Sequence, residues 1–332
     1  MVAQIDSNYR AYGYTKTLRR LSSYGLFEGR PATTKGQWMN PLVFSWLKTL
    51  AAVPGEPKVD RPLFITGLGR SGTTILGVLM SLHRDVGFLN EPKAMWHVID
   101  ERQDVNGNYG GQSVRYRLTP DDVTDDIVQR AHRVFGRYLS VVGAARVVDK
   151  YPELIFRVDY VRKIFPDARF IFIYRNGVDA CQSIVKWSER LGVKKGEDLE
   201  DWWGRNDSKW LNMWRELIEP DPDYAEVRAL GASAIDHANR AALEWVITMR
   251  EGWQQAASNP DRVVKIRYED LLSDSKTELE RLLSVCELGV DPMVIEYARK
   301  SLYDNPAKPL PALLPPVQKL FDETMSMLGY QA

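Results

Sequence analysis

The sequence predicts an α/β protein: a central parallel β-sheet flanked by helices, with a helical insertion late in the chain. Three observations predict it. From residue 62 onward, short apolar runs alternate with helical segments, which is the pattern of a parallel sheet covered on both faces. The run RFIFIY at 169–174 is apolar throughout its centre, as a strand buried on both faces must be. With 332 residues and 44% apolar content, the chain can bury a sizeable core.

Taken in order, residues 1–60 read as an accessory segment, since RLSSYGLFEGRPATTKGQW has no sustained period. Within it, NPLVFSWLKTLAAV opens with Asn40 as a cap and Pro41 in the first turn, and is expected to be a helix packed on the core, the alternative being a membrane-surface or substrate-lid role. VPGEPKVDRP then reads as a linker rich in proline and charge. PLFIT is the first strand, TTILGVLMSL a helix, VGFL the second strand and RVVD (146–149) the third. RFIFIY is the fourth, and RVVKI (262–266) the last. TPDDVTDDIVQRAHRVFGRYL has Thr119 before Pro120 and an acidic first turn, which predicts a helix start, and PELIFRVDYVRKIF has Pro152 and apolar residues at helical spacing. ASAIDHANRAALEWVITMREGWQQAA reads as one long helix before the last strand. The domain is expected to span residues 61–310, with the insertion at about 190–255 and a tail at 311–332.

Composition narrows the function classes. Lysine plus arginine and aspartate plus glutamate balance at 44 each, so no global attraction to nucleic acid is indicated and any anion selectivity is local. No stretch reaches the ~18 apolar residues of a membrane span. Cys181 and Cys286 cannot make a disulfide framework, and MVAQIDSNYRAYGYTK lacks the pattern of a secretory signal. A cytoplasmic setting is expected, in which the sequon at Asn206 is a chance match.

In sheets of this kind ligands bind outside the carboxyl ends of the strands. After the first strand stands Gly67-Leu68-Gly69-Arg70-Ser71-Gly72-Thr73-Thr74, the strand, glycine-bearing turn and helix start of a phosphate-binding loop. Thr73 occupies the place where a nucleotide triphosphatase has its lysine, and the nearest cation is Arg70. After RFIFIY comes Arg175-Asn176-Gly177-Val178-Asp179, so this strand ends in arginine and not in a metal-holding aspartate. A helix beginning near Gly177 carries Ser183 about two turns along, within reach of the ligand of Arg175. Taken alone, the plainer reading of Arg175 as a salt-bridge partner of Asp179 would prevail.

Together, GLGRSGTT and FIFIYRNGVDACQSIVKW resemble the two nucleotide-binding signatures of the sulfotransferases that use 3′-phosphoadenosine 5′-phosphosulfate (PAPS). The resemblance covers roughly residues 61–290, including KIRYEDLL at 265–272. It implies a P-loop NTPase-like sulfotransferase fold and a loop, Gly69, Arg70, Ser71, Gly72, Thr73 and Thr74, that holds the 5′-phosphosulfate. Arg175 and Ser183, eight residues apart, then bind the 3′-phosphate of PAPS or of its product, 3′-phosphoadenosine 5′-phosphate (PAP). It further implies metal-independent in-line transfer to a hydroxyl of a small-molecule, sugar or lipid acceptor, with no metal ligands in the site and a homodimer among the assemblies allowed.

A base is needed for the acceptor's proton. Asn90-Glu91-Pro92 puts a carboxylate after the second strand, and its place resembles that of the glutamate base in the protein-tyrosine and carbohydrate branches. Glu91 is also readable as a plain helix-start residue; burial against Trp96 would raise its pKa. The competing base, His83, stands at the far end of the loop's helix. His97, His132 and His237 sit in helical segments and read as packed or surface histidines. Lys150, directly after RVVD, is placed to neutralise the bridging oxygen, the alternative being an ion pair with Asp149. Ser71 either assists from the loop or only stabilises the turn. Trp187, Trp202, Trp203, Trp210 and Trp214 line an acceptor pocket or form a packed helix face; Trp203, Trp210 and Trp214 favour the latter by spacing. KKGEDLED reads as a solvated loop. The nucleotide segment of the cytosolic branch is replaced by SLYDNPAKPLPALLPP, where Lys308 is the candidate to cover the 3′-phosphate. A nucleotide-binding scaffold without turnover stays open at this level, whereas a P-loop kinase lacks its lysine and its aspartate.

Overall fold

The computed structural model describes residues 3–31, 33, 35–55, 57–110, 114–303 and 309–331. Four parallel strands come first: β1 (Leu63–Gly67), β2 (Val86–Asn90), β3 (Arg146–Lys150) and β4 (Arg169–Tyr174). Three short ones follow, β5 (Val193–Lys195), β6 (Asp198–Asp201) and β7 (Gly204–Arg205), and then β8 (Val263–Arg267). The main sheet has the order β2-β3-β1-β4-β8 and every ladder in it is parallel. β5, β6 and β7 make a separate antiparallel sheet that begins where KKGEDLED was expected to be a solvated loop; Lys194, Glu197 and Leu199 are exposed there.

Alternation along the strands divides the core into two. Phe64, Phe170 and Phe172 point to one face, against Trp96, Phe135 and Trp245, while Leu63, Ile65, Ile171 and Ile173 point to the other, against Leu76, Leu79 and Leu282. The aromatic face is covered by the helices Asp125–Val142 and His237–Ser258, the aliphatic face by Thr73–Ser81, Ser275–Val285 and Pro292–Ser301. Phe64 stacks on Phe170 with ring centroids 5.4 Å apart, which ties β1 to β4.

β2 is an edge strand, and the first sixty residues protect it. Arg19, on the helix Tyr14–Leu26, donates to the carbonyls of Arg84 and Val86. Glu28 is paired with buried Arg20 at 2.6 Å and accepts the Asn90 N–H at 2.7 Å.

Local details differ from the sequence expectations for identifiable reasons. Asn40 lies inside the helix Asn40–Ala52 and does not cap it; its side-chain amide instead bonds both the N–H and the carbonyl of Arg30, each at 2.8 Å. Thr119 starts only a 3-10 turn, Pro120–Asp122, and Thr124 caps the helix Asp125–Val142. PELIFRVDYVRKIF divides into a 3-10 segment, Pro152–Arg157, and the helix Val158–Ile164, because Arg157 is buried and bonds the carbonyls of Arg115 and Tyr116. The tail carries a helix, Pro315–Met327, whose Phe321 meets Trp245 at 4.9 Å. Both cysteines are free and buried. Among the described residues no helix is long and apolar enough to cross a membrane.

The long helix lies close to the centre of the sheet at Gly252, where a Cβ would come within 2.2 Å of the Phe172 ring. Gly252→Ala gains up to about 1 kcal/mol in helix propensity, yet Phe172 is wholly enclosed and cannot yield. Overpacking of about 1–3 kcal/mol outweighs the gain. The urea midpoint of Gly252→Ala should therefore fall with an unchanged m-value.

Candidate active site

The phosphate-loop motif is built as its glycines require. Gly67 ends β1 with φ 129° and lies so close to β4 that a Cβ would sit 2.5 Å from the Ile173 carbonyl. Gly69 and Gly72 are each covered by an aromatic ring: a Cβ would meet Trp202 at 2.5 Å in the first case and Tyr268 at 2.3 Å in the second. Gly72, at φ 92°, starts the helix Thr73–Ser81, and no side chain caps that helix. Its first N–H groups and the positive end of its dipole thus face the loop's concave side. Arg70 holds a left-handed backbone, φ 74°, which a non-glycine residue adopts at a cost.

The loop divides two cavities, and Arg70 and Thr74 line both. One cavity, of about 390 Å³, brings Gly72, Thr73 and Thr74 together with Arg175 and Ser183. Arg70 Nε donates to Ser183 Oγ at 3.0 Å, so the two sequence signatures touch directly. Arg175 lies over the Tyr268 ring at 4.6 Å and pairs with Asp179 at 3.2 Å, the plainer reading of that residue, while its buried Nε has no partner among the described residues. Burial and the like charges of Arg190 and Arg175 hold the Arg70 guanidinium below its usual pKa, although the residue is exposed at the cavity mouths. Ser71 lines neither cavity: its N–H bonds the Leu68 carbonyl at 3.2 Å, within the turn, and its enclosed hydroxyl has no partner among the described residues. Lys308 lies outside the described residues.

The other cavity, of about 420 Å³, contains Gly69, Glu91 and Lys150. Parallel pairing aligns Asn90 of β2 with Lys150 of β3, and the N–H of Glu91 donates to the Lys150 carbonyl at 2.7 Å. The chain then turns at Glu91, φ 51°, into the helix Lys93–Ile99. The Lys150 ammonium, 2% exposed, bonds Glu91 Oε1, and Lys93 Nζ stands 3.5 Å from Oε2. Burial alone would raise the Glu91 pKa, but these two ammonium groups outweigh it and hold the carboxyl down at about 2. The side chain keeps 36% of its surface open to the cavity, so it is an accessible carboxylate, ringed by protein. Trp96 does not press on Glu91; its indole N–H donates to Asp149 at 2.7 Å, and Lys150 therefore pairs with Glu91 and not with Asp149.

His83 is remote from all of this. It is fully buried before β2, at the amino end of the strands, with Nε2 2.8 Å from the Gly289 carbonyl. His97 packs on Phe44, His132 reaches the Ile164 carbonyl, and His237 accepts from the Trp203 indole at 2.6 Å. Trp203, Trp210 and Trp214 are buried, although Trp203 lies in the turn before β7 and off the helix. Trp187 and Trp202 line the cavity, 5.5 Å apart and edge to face.

Among the charged residues of this cavity that sequence reasoning missed are two ion pairs. Lys93 bonds Asn106 at 2.8 Å and pairs with Glu153 at 3.3 Å. Lys209 and Glu244 form a buried pair at 2.5 Å, with the ammonium over the Trp202 ring and the carboxylate accepting from the Trp202 indole. Lys93 was open to inspection, two residues after Glu91; nothing in the sequence pairs 209 with 244.

Asp149 offers a separate test of the electrostatics. It is enclosed, and burial raises its pKa to about 8 despite the Trp96 bond. The folded state therefore keeps a proton that the unfolded chain releases near pH 4. This stability is fully present below that pH and is lost as pH rises toward 8, at about 1.4 kcal/mol per pH unit. Asp149→Asn should become progressively more stable relative to the parent across this range, as read from urea titrations at several pH values.

Comparison with known proteins agrees with the motifs. Residues 62–230, just over half of the chain, match the profile of the Sulfotransferase family. Protein-tyrosine sulfotransferase 1 of Danio rerio is 30% identical over 164 residues, covering 48% of this chain and 43% of that protein. Nodulation protein NoeE of Sinorhizobium fredii (strain NBRC 101917 / NGR234) is 24% identical over 246 residues, covering 71% of this chain and 51% of that protein. The matched stretches thus span about half the length of these curated relatives. The crystal structure of sulfotransferase STF9 from Mycobacterium avium superposes with a TM-score of 0.50 at 12% identity, covering 96% of this chain and 86% of that one, a likeness of fold. With its phosphate loop, its parallel sheet and this profile match, the chain belongs to the sulfotransferase family of enzymes.

Proposed function

We propose that the protein transfers a sulfuryl group from PAPS to a hydroxyl of a small-molecule, sugar or lipid acceptor, with Glu91 as general base and Lys150 as the stabilising cation. One observation carries the reading. The loop Gly67–Thr74 separates a cavity with Arg175 and Ser183 from one with Glu91 and Lys150, and Arg70 and Thr74 face both.

The residues present fit such a donor. A helix N-terminus without a side-chain cap, the Arg70 guanidinium, and Arg175 Nε, which is unpartnered among the described residues while another Arg175 nitrogen pairs with Asp179, offer donors and positive charge that phosphate groups would meet. In this reading Arg175 and Ser183 hold the 3′-phosphate, while the loop N–H groups, Arg70, Thr73 and Thr74 hold the 5′ end. When bound, the donor supplies the sulfuryl group, its bond to the 5′-phosphate oxygen breaking as the bond to the acceptor oxygen forms. Glu91, ionised at any working pH, accepts the acceptor's proton. Lys150 holds the carboxylate weakly basic at rest. Turning the ammonium toward charge that develops on the leaving oxygen loosens that hold as the proton arrives.

Two substitutions test the halves separately. Glu91→Gln should lower turnover at least about 100-fold while PAP affinity stays within about twofold; near-parental turnover would remove Glu91 as the base. Arg175→Ala should weaken PAP binding by about tenfold or more, the loss of 1.5–3 kcal/mol from a charged hydrogen bond. Binding of adenosine 5′-phosphosulfate, which has no 3′-phosphate, should change little. Equal losses for both ligands would show that Arg175 acts elsewhere.

A further inference from the structure

One flank of the molecule, formed by the helices Tyr14–Leu26 and Asn40–Ala52, carries large exposed apolar side chains. Trp38 is 76% exposed and Leu42 66%, and Trp46 is exposed on the next turn. The 3-10 turn Gln37–Met39 runs straight into the helix Asn40–Ala52, so side chains four residues apart make one outward stripe. Tyr14, Leu18 and Leu21 make a second stripe on the helix Tyr14–Leu26. Both helices pack on Asp125–Val142 and on each other, so the two stripes belong to neighbouring helices. Soluble monomers rarely leave so many large apolar side chains together in water.

Charge on this flank is one-sided, although the whole chain balances. Between residues 7 and 55 the single acidic side chain is Glu28, which is buried against Arg20. The same stretch has Arg10, Lys35 and Lys48 exposed and Arg19 half-buried, while Lys16 and Arg30 are buried and do not count toward the surface. On the helix Asp125–Val142 Asp126 pairs with Arg130, and beyond that pair come Arg133 and Arg137 with no further carboxylate on the helix. Arg19 and Arg137 donate to backbone carbonyls, so their charge is held in place without being neutralised. Tryptophan and leucine beside uncompensated cations are the chemistry of a surface that seats in the headgroup layer of an anionic bilayer.

We propose that this flank docks the protein on an anionic lipid surface, with Trp38, Leu42 and Trp46 entering the interface. Pro31 and Thr33, a few residues before the stripe, line the cavity of Glu91 and Lys150. Docking therefore brings the wall of that cavity close to the bilayer. The proposal stands on the flank alone and does not depend on the roles given to the cavity residues.

The test is co-sedimentation of the full chain with phosphatidylcholine vesicles and with vesicles in which about a third of the lipid is phosphatidylserine. Partitioning should be at least tenfold stronger on the anionic vesicles and should decline with added salt. Trp38→Ser with Leu42→Ser should reduce it at least tenfold with an unchanged melting temperature, since both side chains face solvent. Lys35→Glu with Lys48→Glu, which leaves the stripe intact, should remove the preference for phosphatidylserine. Absence of binding to anionic vesicles, or equal binding by the parent and the Trp38/Leu42 variant, overturns the proposal. So does sedimentation equilibrium showing a dimer that this variant dissociates, which would assign the flank to a second copy of the chain.

Discussion

Two parallel ladders, β1 with β3 and β1 with β4, fix where each charged group of the site stands. The first aligns Ile65 with Lys150 and the second aligns Gly67 with Ile173, so the loop leaving β1 has a lysine on one side and the approach to Arg175 on the other. β2 then pairs with β3 so that Asn90 lies beside Lys150, and the next residue is Glu91. A slip of one residue in any of these ladders would turn the side chain to the opposite face. The two cores make such a slip costly, because β1 and β4 send aromatic rings to one face and aliphatic side chains to the other.

Charge in the larger cavity is arranged as a chain of alternating sign: Lys150, Glu91, Lys93, Glu153. Burial would lower the Lys93 pKa, yet Glu153 and Glu91 more than compensate and raise it. Glu91, Lys93 and Glu153 are thereby kept charged in a place whose burial favours their neutral forms. Lys209 and Glu244 repeat the device on the opposite wall, where they fix the Trp202 ring that lies over Gly69. Rigidity of the loop thus derives partly from an ion pair contributed by the insertion.

Much of the frame was legible in the sequence. All five strands of the main sheet fall within a residue of the apolar runs that predicted them, because uninterrupted apolar stretches bounded by glycine, proline and charge admit few other structures. The loop and its distant arginine could be named because their spacing follows from a strand, a turn and a helix, all local. Ion-pair partners could not: Glu91 and Lys150 are 59 residues apart, Lys93 and Glu153 are 60. Choice among several nearby cations is made by the fold. The same holds for Asn40, which suited a helix cap by type and was taken by the backbone of Arg30. The helix Pro315–Met327 is a different case, since Val317, Leu320, Phe321 and Thr324 already lie at helical spacing. Its signal was present and was read as a tail.

Arg70 and Thr74 belong to the walls of both cavities, and Arg70 is held by Ser183 on one side only. Whatever occupies one cavity therefore sets the position of side chains that the occupant of the other must meet. Thermodynamic linkage makes that influence mutual: if the first occupant changes the affinity of the second by some factor, the second changes that of the first equally. Cooperativity between the two ligands is thus a property of the shared wall, and the order in which they bind becomes a matter of rates and not of equilibrium.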